Sequence, residues 1–279
     1  MSTQSKVWFI TGASRGFGAL IAKDALARGD QVVATARNPQ TVIAALGDHP
    51  NLLALQLDVT NEQAAIAAAK QTIQRFSRVD ILVNNAGYGL LGAVEESGDQ
   101  EVKDLFNTNV FGLLNVIRAV VPYMRQQASG HIINISSIGG YASYPGWGVY
   151  CATKFAVEAL TESLDYELKA LGVRATTVEP GFFRTDFLDS TSLVSTRLSL
   201  PEYAGTVGAM REFAASANHA QPGDPAKLSQ AILKLADSDN PPLRLPLGSD
   251  TVDKLIEKNR FVEKELNDWR QLALSTDFA

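Results

Sequence analysis

Cysteine occurs once in the 279 residues, as Cys151, so no disulfide can form within the chain, which fits a reducing compartment. Histidine occurs 3 times: His49 precedes a proline, His131 opens an apolar run, and His219 lies in a polar stretch. None has a partner at metal-ligand spacing, so no metal centre is expected. Runs of lysine or arginine are absent and the net charge is -5, which argues against nucleic acid or an anionic membrane surface as partner. No apolar run approaches the ~20 residues of a membrane span. The opening MSTQSKVWFITGAS reads as a strand and turn, without the longer apolar stretch and cleavage site of a signal peptide. Internal repeats, low-complexity tracts and linkers are missing too. The expectation is a cytoplasmic protein whose residues 1–279 form one domain, without a nucleic-acid or membrane partner.

What is present is an alternation. Short, nearly continuous apolar runs at 7–11, 31–36, 52–57, 81–85, 131–136 and 173–179 read as strands covered on both faces. Helical patterns at 17–28, 62–76, 100–125 and 149–171 fall between them. Strict alternation predicts an α/β fold: a Rossmann-type, doubly wound parallel sheet flanked by helices. PPLRLPL, around Leu245, adds a last strand that its prolines confine to an edge. The stretch 182–221 breaks the rhythm and carries a helical pattern at 201–217, as expected of a lid or binding loop. After it, Val252, Leu255, Val262, Leu266, Trp269 and Leu272 recur at helical spacing, predicting a C-terminal helix that closes the structure.

TGASRGFG follows the first strand and opens the first helix. Gly12, Gly16 and Gly18 let the backbone approach a pyrophosphate at the helix N-terminus, although the spacing is Gly-x-x-x-Gly-x-Gly. Gly12 to Gly16 also fit the GxSxG elbow of a serine hydrolase, with Ser14 as nucleophile. That reading needs an oxyanion loop from an earlier strand and then an acid and a histidine in order, and only one strand precedes the turn.

VYCATKFAVEAL places Tyr150 and Lys154 four residues apart, on one face of a helix. A nearby fixed cation lowers a phenol's pKa from its usual value near ~10 toward working range. The alternative is a half-buried tyrosine beside a lysine that snorkels to water. With no Cys/His pair, Cys151 reads as a small packing residue.

TGASRGFG, NNAG (84–87), Asn109, INISS (133–137), YCATK and Pro180-Gly181, in that order, resemble the short-chain dehydrogenase/reductase family in its compact branch. The likeness runs from about Val7 to about Thr185. The family's catalytic serine stands thirteen positions before the tyrosine, which is Ser137 and not Ser136. The resemblance therefore implies Ser137, Tyr150 and Lys154 at the reacting carbonyl, with Asn109 behind Lys154 in a proton relay. It implies nucleotide contacts from Gly12, Ser14, Arg15, Gly16, Phe17 and Gly18 in the turn. Asp58 would meet the adenine, unless it only caps the following helix, and Val59 beside it would contact the nucleotide. Asn85, Ala86, Gly87, Pro180, Gly181 and Thr185 would line the rest.

Cofactor choice is read at the end of the second strand. NAD sites hold an acid there and NADP sites a basic residue. VATARNP gives Ala36 followed by Arg37, with Arg15 as a second cation, so NADP(H) is expected ahead of NAD(H). The expected activity is hydride transfer between nicotinamide and a ketone, aldehyde or secondary alcohol. Tyr88, Tyr141, Tyr144, Trp147, Phe182, Phe183, Phe187 and Leu188 suggest a bulky apolar substrate. A nucleotide-binding regulator without turnover is the rival. The apolar residues of 100–125 exceed what one buried face holds, and family members pair this helix, so a homodimer or homotetramer is expected.

Overall fold

A computed structural model describes residues 5–278. The chain opens with β1 (Val7–Ile10), α1 (Gly16–Ala27), β2 (Gln31–Ala36), α2 (Pro39–Leu46), β3 (Leu52–Gln56), α3 (Glu62–Phe76) and β4 (Ile81–Asn84). A short strand β5 (Gly89–Leu91) precedes α4 (Asp99–Phe106) and α5 (Leu113–Gln127). Then come β6 (Gly130–Ile135), α6 (Gly148–Leu168), β7 (Val173–Pro180), β8 (Leu193–Ser195) and α7 (Ala209–Ala217). The chain closes with α8 (Pro225–Ala236), β9 (Arg244–Leu247) and α9 (Ser249–Leu274).

Seven strands form one parallel sheet in the order β3-β2-β1-β4-β6-β7-β9. The chain winds outward from β1 to β3, then crosses back so that β4 lies on the other side of β1. That reversal opens a crevice at the carboxyl ends of β1 and β4, the general ligand position in such sheets. Both faces of the sheet are covered. Phe9, Val33, Leu82 and Ile132 point toward α3, α5 and α6, while Trp8, Ile10, Val32 and Ile133 point toward α1 and α8. This two-sided burial explains why the strands read as unbroken apolar runs. β9 pairs only with β7, so Pro246 sits on an edge as expected.

Four features depart from the expectation. α2 and α8 are additional helices; each starts at a capping side chain followed by proline, Asn38-Pro39 and Asp224-Pro225. The insertion is tied down by a small second sheet, in which β8 pairs with β5. The stretch 100–125 is two helices joined by a π-helical segment, Asn107–Gly112. Its apolar side chains are largely satisfied within the subunit: Leu105, Val110, Leu113, Val116, Ile117, Val120 and Met124 are buried, and Phe111 is exposed. Asp99–Gln127 is long and apolar enough by composition to cross a membrane, yet this packing on its own sheet accounts for its character. Finally, α9 does not close the structure. Thr251 is its one buried residue among those described, and Val262, Leu266, Trp269 and Leu272 face solvent.

Candidate active site

The crevice at the carboxyl ends of the strands is a cleft of ≈ 1200 Å³. Its floor begins at the turn after β1. Gly12 and Gly16 have φ of 65° and 55°, the left-handed region that side chains avoid. A Cβ at Gly18 would lie 2.5 Å from the Gly12 carbonyl oxygen, so the third glycine permits a close approach of helix to turn. α1 has no side-chain cap and no acid in its first turn. Its first amides are therefore left for a ligand, and an anion suits them best. The turn fits a dinucleotide's pyrophosphate.

Thr11 and Asn85 hold that turn against β4. The Thr11 hydroxyl accepts from the amides of Asn85 (3.0 Å) and Ala86 (3.1 Å). Asn85 Nδ2 donates to the carbonyls of Thr11 and Gly12, both at 3.0 Å. The tie that Thr11 makes escaped sequence reasoning, because a threonine at a strand end carries no signal of a partner 74 residues away. Behind it, Asn84 donates to Asn134 (2.8 Å) and Asn134 to Thr161 (2.8 Å), a buried ladder across β4, β6 and α6.

The cleft wall includes Gly12, Ser14, Arg15, Gly16 and Phe17 from the turn. It also includes Arg37, Asp58 and Val59 from the ends of β2 and β3, with Asn85, Ala86 and Gly87 after β4. Pro180, Gly181 and Thr185 follow from the end of β7. Gly18 stands behind the turn and does not line the cleft. Arg37 is exposed and, among the described residues, makes no ion pair. Arg15 instead donates to the carbonyl of Thr191 and the hydroxyl of Ser192, both at 2.8 Å, joining the turn to the insertion. Asp58 does not cap the next helix. Its carboxylate accepts from the amide and hydroxyl of Thr60, while Asn61 provides the cap of α3.

Ser137, Tyr150 and Lys154 meet on the same cleft. Ser137 ends the loop after β6, where its Oγ accepts from the Gly139 amide at 3.0 Å. Tyr150 is in the first turn of α6, its ring 5.5 Å from Trp147 and 5.6 Å from Phe187. Lys154 lies one turn on, nearly buried, with Nζ donating to the Ile135 carbonyl at 2.9 Å and 5.8 Å from the Tyr150 ring centre. Lys154 does not snorkel. Burial lowers its pKa to about 8, with Glu158 acting in the opposite sense. Burial raises the Tyr150 phenol above its usual value, and hydrogen bonding with Ser137 opposes that rise. Burial, and not the expected lowering by Lys154, sets the direction of the Tyr150 shift.

Asn109 is buried in the π-helical segment and does not line the cleft. Its Nδ2 donates to the Tyr88 carbonyl (2.9 Å) and Thr153 Oγ1 (3.2 Å), and its Oδ1 accepts from the Tyr88 amide (3.1 Å). A Cβ on Gly87 would sit 3.0 Å from Asn109 Oδ1 and 3.9 Å from Lys154 Nζ, so Asn109 does stand close behind Lys154.

Tyr88, Tyr144, Trp147, Phe182, Phe187 and Leu188 give the cleft an aromatic, apolar side. Phe183 also touches the cleft, but its ring packs edge-on against Phe17 at 5.6 Å. Tyr141 is elsewhere: its hydroxyl bonds to Asn259 of α9. Glu96 and Arg211, which no motif announces, clamp the insertion. Glu96 is buried, pairs with Arg211 at 2.6 Å and accepts from the amides of Ala93 and Leu200. No histidine lines the cleft, and burial lowers His131, on the far end of β6, to about pKa 4. Ser14 therefore lacks the base that an elbow nucleophile needs. Cys151 is buried, and burial raises its thiol, as suits a packing residue.

Residues 6–193 match the family model described as short chain dehydrogenase. Oxidoreductase BOA17 of Botryotinia fuckeliana is 36% identical over 98% of this chain and 99% of its own length. A 3-ketodihydrosphingosine reductase of Bacteroides thetaiotaomicron is 38% identical over 88% of each chain. Among solved structures, a short-chain dehydrogenase from Streptomyces avermitilis superposes with a TM-score of 0.90 at 42% identity, covering 99% of this chain and 100% of that one. ElxO with NADP bound scores 0.73 at 26% identity, covering 90% and 100%. A 3-ketoacyl-(acyl-carrier-protein) reductase from Brucella melitensis complexed with NADH scores 0.74 at 25%, covering 88% and 97%.

Proposed function

The chain belongs to the short-chain dehydrogenase/reductase family and is an NAD(P)-dependent oxidoreductase, and from that premise we propose an NADPH-linked carbonyl reductase, in reverse an NADP-linked alcohol dehydrogenase, for a bulky apolar substrate. The observation that carries this reading is the meeting of Ser137, Tyr150 and Lys154 on one cleft with the glycine turn and Arg37. When bound, the nicotinamide supplies or accepts the hydride. The chain manages the oxygen and its proton. Ser137 hydrogen-bonds the substrate oxygen as negative charge develops there, and Tyr150 donates its proton to that oxygen as general acid. Burial keeps Tyr150 protonated until it is needed, which suits the reductive direction. Lys154, held by the Ile135 carbonyl, supplies the cation that favours the phenolate once the proton has gone. Asn109 positions Tyr88 and Thr153 behind that lysine.

Ala36 followed by a free Arg37 supports NADP over NAD, since a guanidinium matches a 2′-phosphate in charge and shape. Arg15, engaged by the insertion, is the weaker candidate. The relative named a 3-ketodihydrosphingosine reductase supports a ketone as substrate class. We also infer a cytoplasmic homo-oligomer, a dimer or tetramer. Family members are generally oligomeric, and Phe111 and Phe155 remain 53% and 45% exposed on the α5–α6 side.

The test is NADPH oxidation across small, aromatic and steroidal carbonyls, with NADH in parallel. Turnover of bulky carbonyls with preference for NADPH is expected. Nucleotide binding with no turnover on any carbonyl would instead establish the regulatory reading.

A further inference from the structure

α9 is 26 residues long, but only its beginning touches the rest of the molecule. Phe182 donates its amide to Asp250 at 2.7 Å, Lys254 lies over the Tyr144 ring at 5.6 Å, and Tyr141 bonds to Asn259. From Asn259 onward every described residue is exposed. The free part is not a polar helix. Val262, Leu266, Trp269 and Ala273 recur at alternating spacings of four and three, an apolar seam that Leu272 flanks, with Phe261 and Leu274 exposed away from it, and Trp269 is 65% exposed. A free helix of ~15 residues is marginal in water, and this one leaves its seam uncovered.

We propose that the free half of α9 pairs antiparallel with the same half of a second copy of the chain. The charges choose both occupant and register. Glu263, Glu265 and Arg270 flank the seam and make no ion pair within the chain among the described residues, whereas Lys264 pairs with Asp268 on the outer side. With the two-fold axis between 267 and 268, Leu266 meets Trp269 of the second copy and Val262 meets Ala273. The same register sets Glu263 opposite Arg270 twice, once on each side of the axis. Moving the axis toward 264 would set Glu263 opposite Glu263 and Glu265 opposite Glu265, which repel. A parallel pair would use Lys258 with Glu263 and Glu265 with Arg270. It would also need the partner helix beside residues 251–258, where the body of the molecule already stands on the side of Thr251, Leu255 and Lys258. A bilayer surface fits less well, because acidic and basic residues interleave along α9 with no polybasic face. Two heptads bury less than the ~1,200 Å² of a self-sufficient interface, so the pairing adds one concentration-dependent step above any assembly made by the body.

The experiment is the mass of the full chain by light scattering and sedimentation across micromolar concentrations. Leu266→Glu with Trp269→Glu should remove the largest species while nucleotide affinity stays unchanged, since both side chains are exposed and far from the cleft. Arg270→Glu alone should weaken the same step, and Glu263→Arg together with Arg270→Glu should restore it. A parallel coil would not be restored, because Lys258 would then face an arginine and Glu265 a glutamate. The proposal fails if the wild-type mass shows no such step, or if the first variant leaves the mass unchanged. It also fails if the double charge reversal does not recover it, or if the first variant instead loses binding to neutral phosphatidylcholine vesicles.

Discussion

At the scale of single residues, the site separates into groups that touch the reacting oxygen and groups that hold them in place. Tyr150 belongs to the first. Tyr150→Phe removes the proton donor and little else, because the ring keeps its contacts with Trp147 and Phe187. Turnover should fall by about 10²-fold or more while NADPH affinity stays near wild type, as single-turnover rates and a binding titration would show. Arg37 tests the cofactor. A hydrogen bond to a charged group contributes about 1.5–3 kcal/mol, so Arg37→Ala should weaken NADPH by roughly 10- to 150-fold. NADH lacks the phosphate and should bind as before. Arg15 is too occupied with Thr191 and Ser192 to compensate fully. Dissociation constants at two salt concentrations would check both, and equal losses for the two nucleotides would remove the main support for NADP. These residues were legible because their chemistry is local: a turn needs glycine, and a helix places Tyr150 beside Lys154. The contacts of Thr11, Asn84, Asn134 and Thr161 were not, although three of these residues stand inside the quoted motifs, since each acts through a partner tens of residues away.

At the scale of elements, β1 to β4, β6, β7 and α3 were readable almost to the residue, because two-sided burial writes an unbroken apolar run in the strands, whereas β5 and β8 were not read. The break in α4–α5 was not. A π-helical segment has the composition of an ordinary helix, yet it sets Asn109 against the Tyr88 backbone. The insertion was legible as an interruption, but its anchoring was hidden, because Glu96 and Arg211 lie far apart in sequence. Hydrogen bonds from the Leu200 and Ala93 amides and the Arg211 pair hold the Glu96 carboxyl below its usual range despite burial. A depressed folded-state pKa contributes stability that is present above the unfolded value and lost as pH falls through the folded one. Arg211→Ala leaves a buried carboxylate without its partner. It should cost up to about 3 kcal/mol, the low end for a broken buried pair because Arg211 is partly exposed. Loosening should show first in the insertion, as faster proteolysis within 190–220 and a lower kcat/KM with nucleotide affinity unchanged.

At the scale of the whole molecule, pH dependence collects groups that no motif names. Glu158 of α6 and Glu179 of β7 are buried side by side under Arg244 of β9, whose Nε is 3.2 Å from one and 3.9 Å from the other. Ser136, Thr177 and Lys154 are the other polar groups around the pair, and Glu162 takes the far side of Arg244. Two carboxylates share one arginine that a third also engages; burial raises Glu158, and burial together with repulsion from Glu158 raises Glu179 to about 8. The sign follows from proton counts. Between the ordinary value of 4.5 and about 8, the unfolded chain has released this proton and the folded protein keeps it, so stability falls as pH rises. His131 works the other way between about 4 and 6.5, where the unfolded chain holds a proton that the folded protein refuses. The two nearly cancel in that acidic window. Above pH 6.5 His131 no longer contributes, and the slope of the carboxylate pair remains until about pH 8. Melting temperature should therefore decline between pH 6.5 and 8, by up to ~2 kcal/mol of stability for one proton over that window. Glu179→Gln keeps the shape and removes the proton. It should flatten the decline and melt higher than wild type at pH 8, with little difference near pH 4. A wild-type melting curve that rises between pH 6.5 and 8, or a variant that melts lower at pH 8, would show that the pair is ionised in the folded protein.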